Sequence, residues 1–141
     1  ALQHMRWGVV LHDIGKIAIP DSILKKPGPL TKEEYETMKE HVCFAYQMLS
    51  ALNLPTAVTD IPQYHHEKWD GSGYMMGLSG TDIPLSARLF TLVDVWDALT
   101  SDRPYRKAWS IEKTKAYFEE EKGKHFDPDL TDIFLNKVLT I

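Results

Sequence analysis

The chain has 141 residues, of which 43% are hydrophobic, and a formal net charge of −4. That length suits one domain with one core, so a single domain spanning 1–141 is expected. The acidic balance excludes general adhesion to DNA, which needs a basic surface, but allows a small anionic ligand held by a local cluster of cations.

No apolar run approaches the roughly 20 residues that span a bilayer, so no membrane insertion is expected. The opening Ala1-Leu2-Gln3-His4-Met5-Arg6 lacks a basic segment followed by an apolar one, and no leader is read there. Cys43 stands alone and forms no internal disulfide, which fits a reducing cytoplasm.

In chain order, residues 2–13 read as the tail of a helix ended by Gly15. Pro20-Asp21-Ser22 starts a short turn of helix, and Pro27-Gly28-Pro29 stops it. Thr31 and Glu34 form a capping box before one long helix over about 32–52. Pro55 opens the next helix, which is expected to reach about Glu67. A glycine-rich loop follows from Asp70 to Ile83. Pro84 leads into a helix carrying Leu85, Leu89, Leu92, Val93, Trp96 and Leu99. Arg103-Pro104-Tyr105-Arg106 is a loop. Ser110 caps a helix that Gly123 ends, and Asp127 caps a last helix with Leu130, Ile133, Phe134 and Val138 as its apolar stripe. No segment alternates as a strand does, so the fold class is all-α.

The chemistry-bearing residues are His12-Asp13, lone His41, His65-His66 and Asp94. Asp94 lies in the apolar stretch Phe90–Trp96, where an ionised carboxylate is costly unless a cation or several donors pair with it. It is either a buried salt bridge, to Arg88 or Arg103, or a metal ligand. Each histidine alone reads as readily as a packed or solvated side chain. Together, four helices offer imidazole or carboxylate near apolar faces. Such mixed ligands suit iron, manganese, zinc or nickel rather than calcium. Helical bundles build di-metal sites in this way.

Leu11-His12-Asp13-Ile14-Gly15-Lys16 resembles the signature of HD-domain phosphohydrolases. His65-His66-Glu67 with Asp70-Gly71-Ser72-Gly73-Tyr74 resembles the second signature of the HD-GYP subgroup. Asp94-Val95-Trp96-Asp97 through Arg106 resembles its third block, and Phe126-Asp127-Pro128 its closing one. The match runs in order over nearly the whole chain. It implies a helical bundle whose ligands converge on two divalent ions, with a third in some members, iron or manganese being the usual metals. His12, Asp13, His41, His65, His66 and Asp94 would be the ligands, with Asp13 bridging. It further implies a phosphodiesterase that attacks cyclic di-GMP with a metal-held hydroxide and releases pGpG or GMP.

Lys16 would neutralise a phosphate oxygen or protonate the leaving 3′ oxygen. Arg103 and Arg106 can clamp phosphate through bidentate hydrogen bonds. Asp97 can accept from a guanine edge, or form a loop-fixing salt bridge with Arg103. The glycine-rich loop with Tyr74 would approach the ligand. Two further readings compete: a metal- or dinucleotide-binding signalling module without turnover, and a hydrolase for another cyclic nucleotide.

Three features depart from the subgroup. Its Gly-Tyr-Pro reads Gly73-Tyr74-Met75, which restores a backbone N–H. After His41 stand Val42-Cys43-Phe44, where the family has proline and glycine. The family also places a ligand histidine on a helix well before the His-Asp pair, whereas eleven residues precede His12. A chain trimmed at its N-terminus is therefore expected, with a homodimer able to cover the apolar face left bare. An upstream receiver or sensor domain and other signalling proteins are the expected partners.

Overall fold

The computed structural model describes residues 2–104 and 106–140. Helices and turns make up its regular structure, and among the described residues there is no strand, only two isolated bridges. The all-α expectation holds. The chain divides into two compact units, Ala1–His66 and Glu67–Ile141.

In the first unit, α1 (Leu2–Leu11) leads into a tight 3₁₀ turn, Ile14–Ala18, and then α2 (Asp21–Leu24), α3 (Lys32–Lys39), α4 (His41–Ser50) and α5 (Thr56–Tyr64). α1 and α4 both pack on α5, and the 3₁₀ turn packs on α4. Val42, Ala45, Leu49, Val58, Ile61 and Pro62 form the buried interior. Gly8 lets α1 approach α5 closely, since a Cβ there would meet the Val58 oxygen at 2.9 Å. Pro62 sits four residues after Val58 and brings no N–H to that oxygen.

The capping box forms as expected: the Glu34 N–H donates to Thr31 Oγ1, and the Thr31 N–H donates to the Glu34 carboxylate. The single helix expected over 32–52 does not form. The Glu40 N–H bonds back to the Thr37 oxygen three residues away, which tightens the turn. A new helix then starts at His41. Gly15 does not end a helix. It lies buried in the 3₁₀ turn, where a Cβ would fall 1.6 Å from the His41 oxygen, so its place is a backbone-to-backbone approach that only glycine permits. The helix expected to reach Glu67 ends at Tyr64.

The second unit comprises the 70–83 loop, α6 (Leu85–Thr100), α7 (Ile111–Glu121) and α8 (Pro128–Ile133), which runs on into a wider turn, Phe134–Val138. Leu92, Phe118, Phe126, Phe134 and Leu135 form its core, with Val95, Trp96, Leu99, Tyr117, Leu130 and Leu139 packed against them. Ser110 Oγ accepts from the Lys113 N–H, and Gly123 takes the positive φ of +80° after α7. Asp127 accepts from the N–H groups of Asp129 and Leu130, as a cap should. The expected apolar stripe of the last helix is corrected in part. Ile133 and Val138 are about half exposed, and the wider turn directs Phe134, Leu135 and Leu139 inward instead. Tyr105, part of the expected 103–106 loop, lies outside the described residues.

Candidate metal centre

Every candidate ligand of the first unit sits at the end of a helix. His12 and Asp13 follow α1, His41 opens α4, and His65 and His66 follow α5. Ends allow neighbouring residues to point into one space, which mid-helix neighbours about 100° apart cannot do. One ligand atom each from Asp13, His41, His65 and His66 lie within 4.8 Å of one another. The two oxygens of Asp13 face different partners. Oδ1 is 3.8 Å from Nε2 of both His41 and His65, while Oδ2 is 3.1 Å from His12 Nε2 and 2.9 Å from Lys16 Nζ. The His65 and His66 rings have centroids 4.0 Å apart, and His41 meets His66 at 4.9 Å.

The ring orientations are set from behind. Nδ1 of His41 lies 2.6 Å from the Met38 oxygen and Nδ1 of His65 lies 2.8 Å from the Ile61 oxygen, while Nδ1 of His12 bonds the Val9 oxygen. A carbonyl only accepts, so each Nδ1 carries a proton; the rings of His41 and His65, kept neutral by burial, turn a basic Nε2 toward Asp13, whereas His12 Nε2 donates to Asp13 Oδ2. Backbone support of this kind orients metal-ligating imidazoles.

His41 Nε2 is buried and has no hydrogen-bond partner among the described residues. An unsatisfied buried acceptor is costly, and a bound cation relieves that cost. Burial lowers the pKa of His41. Burial also brings His65 to about 4. Burial and then the neighbouring His65 and His41 bring His66 to about 2. For Asp13, burial raises the pKa, but hydrogen bonds from His12 and Lys16 outweigh it and hold the carboxyl well below its usual range. The cluster thus presents neutral imidazoles and an ionised carboxylate near pH 7, the protonation states that metal binding requires. The donors fit divalent iron, manganese, zinc or nickel.

The remaining expected site residues belong to the second unit. Asp94 is half-buried in the middle of α6, and Tyr74 is half-buried in the 70–83 loop. Arg88, one proposed salt-bridge partner of Asp94, is paired with Asp127 at 2.6 Å and also donates to the Ile83 oxygen. Arg103 approaches the exposed Asp97 at 4.0 Å, an ion pair at the limit of contact. Arg106 turns to the main chain, donating to the oxygens of Ala98, Leu99 and Lys107.

Glu67 was not singled out from sequence, although it follows His65-His66 directly. It is buried, and its two oxygens accept the N–H groups of Met76 and Leu78. The signal was an acid placed just before a glycine-rich loop with its backbone donors.

The profile of the family described as HD domain matches residues 1–130. The chain is 48% identical over 132 residues to a cyclic di-GMP phosphodiesterase of Vibrio cholerae, covering 89% of this chain and 27% of that protein. It is 47% identical over 127 residues to the cyclic di-GMP phosphodiesterase response regulator RpfG of Xanthomonas campestris, covering 89% and 34%. It is also 45% identical over 127 residues to the 3′3′-cGAMP-specific phosphodiesterase 2 of Vibrio cholerae, covering 89% and 24%. The chain spans about a quarter to a third of the length of these relatives.

Proposed function

Because the chain belongs to the HD domain family, in its HD-GYP group, we propose that it is a metal-dependent phosphodiesterase that hydrolyses cyclic di-GMP. The observation that carries this reading is the partnerless, buried Nε2 of His41, in a group whose other donors lie within 4.8 Å. His12, Asp13, His41, His65 and His66, with Asp94, would hold two iron or manganese ions, and a third where further ligands allow. Such ions, when bound, activate water and draw charge from phosphoryl oxygens.

The other roles follow from the side chains. Asp13 has one oxygen facing His41 and His65 and the other facing His12 and Lys16, an arrangement that suits a bridging carboxylate. Lys16 Nζ, one turn on, neutralises a phosphate oxygen or gives a proton to the leaving 3′ oxygen. Arg103 and Arg106 contact phosphate, Asp97 accepts from a guanine edge, and Tyr74 packs on the ligand. The products are pGpG and, after a second cleavage, GMP. No helix among the described residues is long and apolar enough to cross a membrane. The proposed setting is the cytoplasm, where the lone Cys43 stays reduced.

The relative named for 3′3′-cGAMP favours a second reading, the same chemistry on a mixed cyclic dinucleotide. Turnover of both compounds by the purified chain, supplied with manganese or anaerobic ferrous iron and followed by chromatography, tests the proposal. Release of pGpG from cyclic di-GMP is the expected result. Faster turnover of 3′3′-cGAMP would move the substrate to the second reading. No product with two ions bound per chain would overturn the enzyme and leave a binding module.

A further inference from the structure

The 70–83 loop is tied down at its base. The Trp69 and Asp70 N–H groups donate to the His125 and Lys124 oxygens, the Gly80 N–H donates to the Trp69 oxygen, and Arg88 Nε holds the Ile83 oxygen at 2.9 Å. At its tip Met75 and Met76 are exposed, while Tyr74 and Leu78 are half-buried. Glu67, at 2% exposure, reaches into the tip from below. Its Oε1 accepts the Met76 N–H at 2.7 Å and its Oε2 the Leu78 N–H at 3.1 Å. Gly77 stands between the two donors with φ of +68°, the left-handed turn that lets successive N–H groups converge on one anion.

We propose that Glu67 is a positioning residue: its carboxylate latches the Met76–Leu78 turn and so sets the presentation of Tyr74, and with it the affinity for a cyclic dinucleotide. A buried carboxylate is costly to desolvate, and here both of its oxygens are spent on the loop. One peptide bond joins it to His66, so the latch begins where the histidine cluster ends. The affinity part of the proposal rests on the phosphodiesterase reading above. The latch itself does not.

Glu67→Gln tests it, since glutamine keeps the volume but exchanges one acceptor oxygen for an NH₂ that faces an N–H donor. Hydrogen exchange of the full chain should show the Met76 and Leu78 amides losing protection by roughly tenfold or more. With cyclic di-GMP, KM should rise by roughly tenfold with kcat within about twofold, as expected when uniform binding is lost. Metal content should be unchanged. Glu67→Asp, which keeps both acceptors on a shorter stem, should fall between. Unchanged amide protection would overturn the latch. Lost protection with KM unchanged would overturn the positioning role, and a fall in metal content would assign Glu67 to the metal centre instead. If the wild-type chain neither turns over nor binds cyclic di-GMP, the phosphodiesterase reading fails, and amide exchange alone decides the latch.

Discussion

Nδ1 of His41 lies 2.6 Å from the Met38 oxygen, a bond that spans the break between α3 and α4. It places the ring proton on Nδ1 and leaves Nε2, buried and partnerless, aimed at Asp13. The break in the helix and the free ligand atom are therefore parts of one device. Had residues 32–52 formed one helix, His41 would be an interior residue and not the first of α4.

His41→Ala should thus separate metal binding from folding. Metal content by mass spectrometry should fall by one ion or more per chain, and turnover by at least about 100-fold, the upper end of what loss of a metal-orienting partner costs. The metal-free stability should change by less than about 2 kcal/mol, because removing an unsatisfied buried acceptor offsets part of the lost packing. Full metal content in this variant would remove His41 from the ligand set.

The buried imidazoles also make stability depend on pH. His65 titrates at about 4 when folded, against an ordinary 6.5, and His66 at about 2, in both cases chiefly through burial. As pH falls below about 6.5, the unfolded chain takes up protons that the folded chain refuses. Metal-free stability is therefore full above that pH. It declines by about 1.4 kcal/mol per pH unit for each such histidine until the folded value is reached. Asp13 acts in the same direction at lower pH, since its folded carboxyl is held below its ordinary 3.8. Urea midpoints of the metal-free chain should drop from pH 7 to pH 5, and His65→Ala should flatten the slope. A midpoint constant over that range would mean that these imidazoles are not buried in the neutral form.

Local signals were legible in the sequence where they act within one turn of helix. The Thr31–Glu34 capping box and the Ser110 and Asp127 caps depend on residues two or three apart and the Gly123 stop on one residue, and all are present. The candidate cluster was legible because His12-Asp13 and His65-His66 are adjacent pairs at helix ends. Features that depend on distant partners were not legible. Arg88 meets Asp127 across 39 residues, Glu67 reaches Leu78 across 11, and Gly15 is glycine because the His41 carbonyl lies against it. Sequence patterns could not show which imidazole nitrogen carries the proton, since side-chain rotation decides which ring nitrogen meets a carbonyl.

Gly15 is the position where a single methyl should do most damage. In Gly15→Ala the new Cβ would lie 1.6 Å from the His41 oxygen and 2.8 Å from the Ala45 nitrogen, so backbone must move. The expected cost is about 3 kcal/mol, at the upper end for overpacking, because neither contact is a flexible side chain. Movement there also displaces Asp13 and His41 together, so metal content should fall with stability. Gly28→Ala is the control, since among the described residues no atom beyond its chain neighbours lies within 4 Å of a Cβ there, and its stability should stay within about 0.5 kcal/mol of the parent. Equal urea midpoints for the two variants would contradict the close approach.

The two arginines expected to clamp phosphate should separate on substitution. The Arg106 guanidinium donates to the Ala98 oxygen at 2.6 Å and also reaches the Leu99 and Lys107 oxygens, so it closes the C-terminal end of α6. Arg106→Ala removes the donor to the Ala98 oxygen, while the Leu99 oxygen keeps the Trp109 N–H, and should cost about 1–3 kcal/mol of stability, whatever it does to substrate binding. Arg103 is exposed, and its pair with Asp97 is stretched to 4.0 Å, so Arg103→Ala should leave stability within about 0.5 kcal/mol of the parent. A phosphate role for Arg103 then predicts a higher KM for cyclic di-GMP that falls off with added salt, with the urea midpoint unmoved. If KM stays constant in Arg103→Ala, the exposed pair with Asp97 is all that Arg103 does. If Arg106→Ala raises KM at full stability, the main-chain contacts are secondary and Arg106 belongs to the ligand.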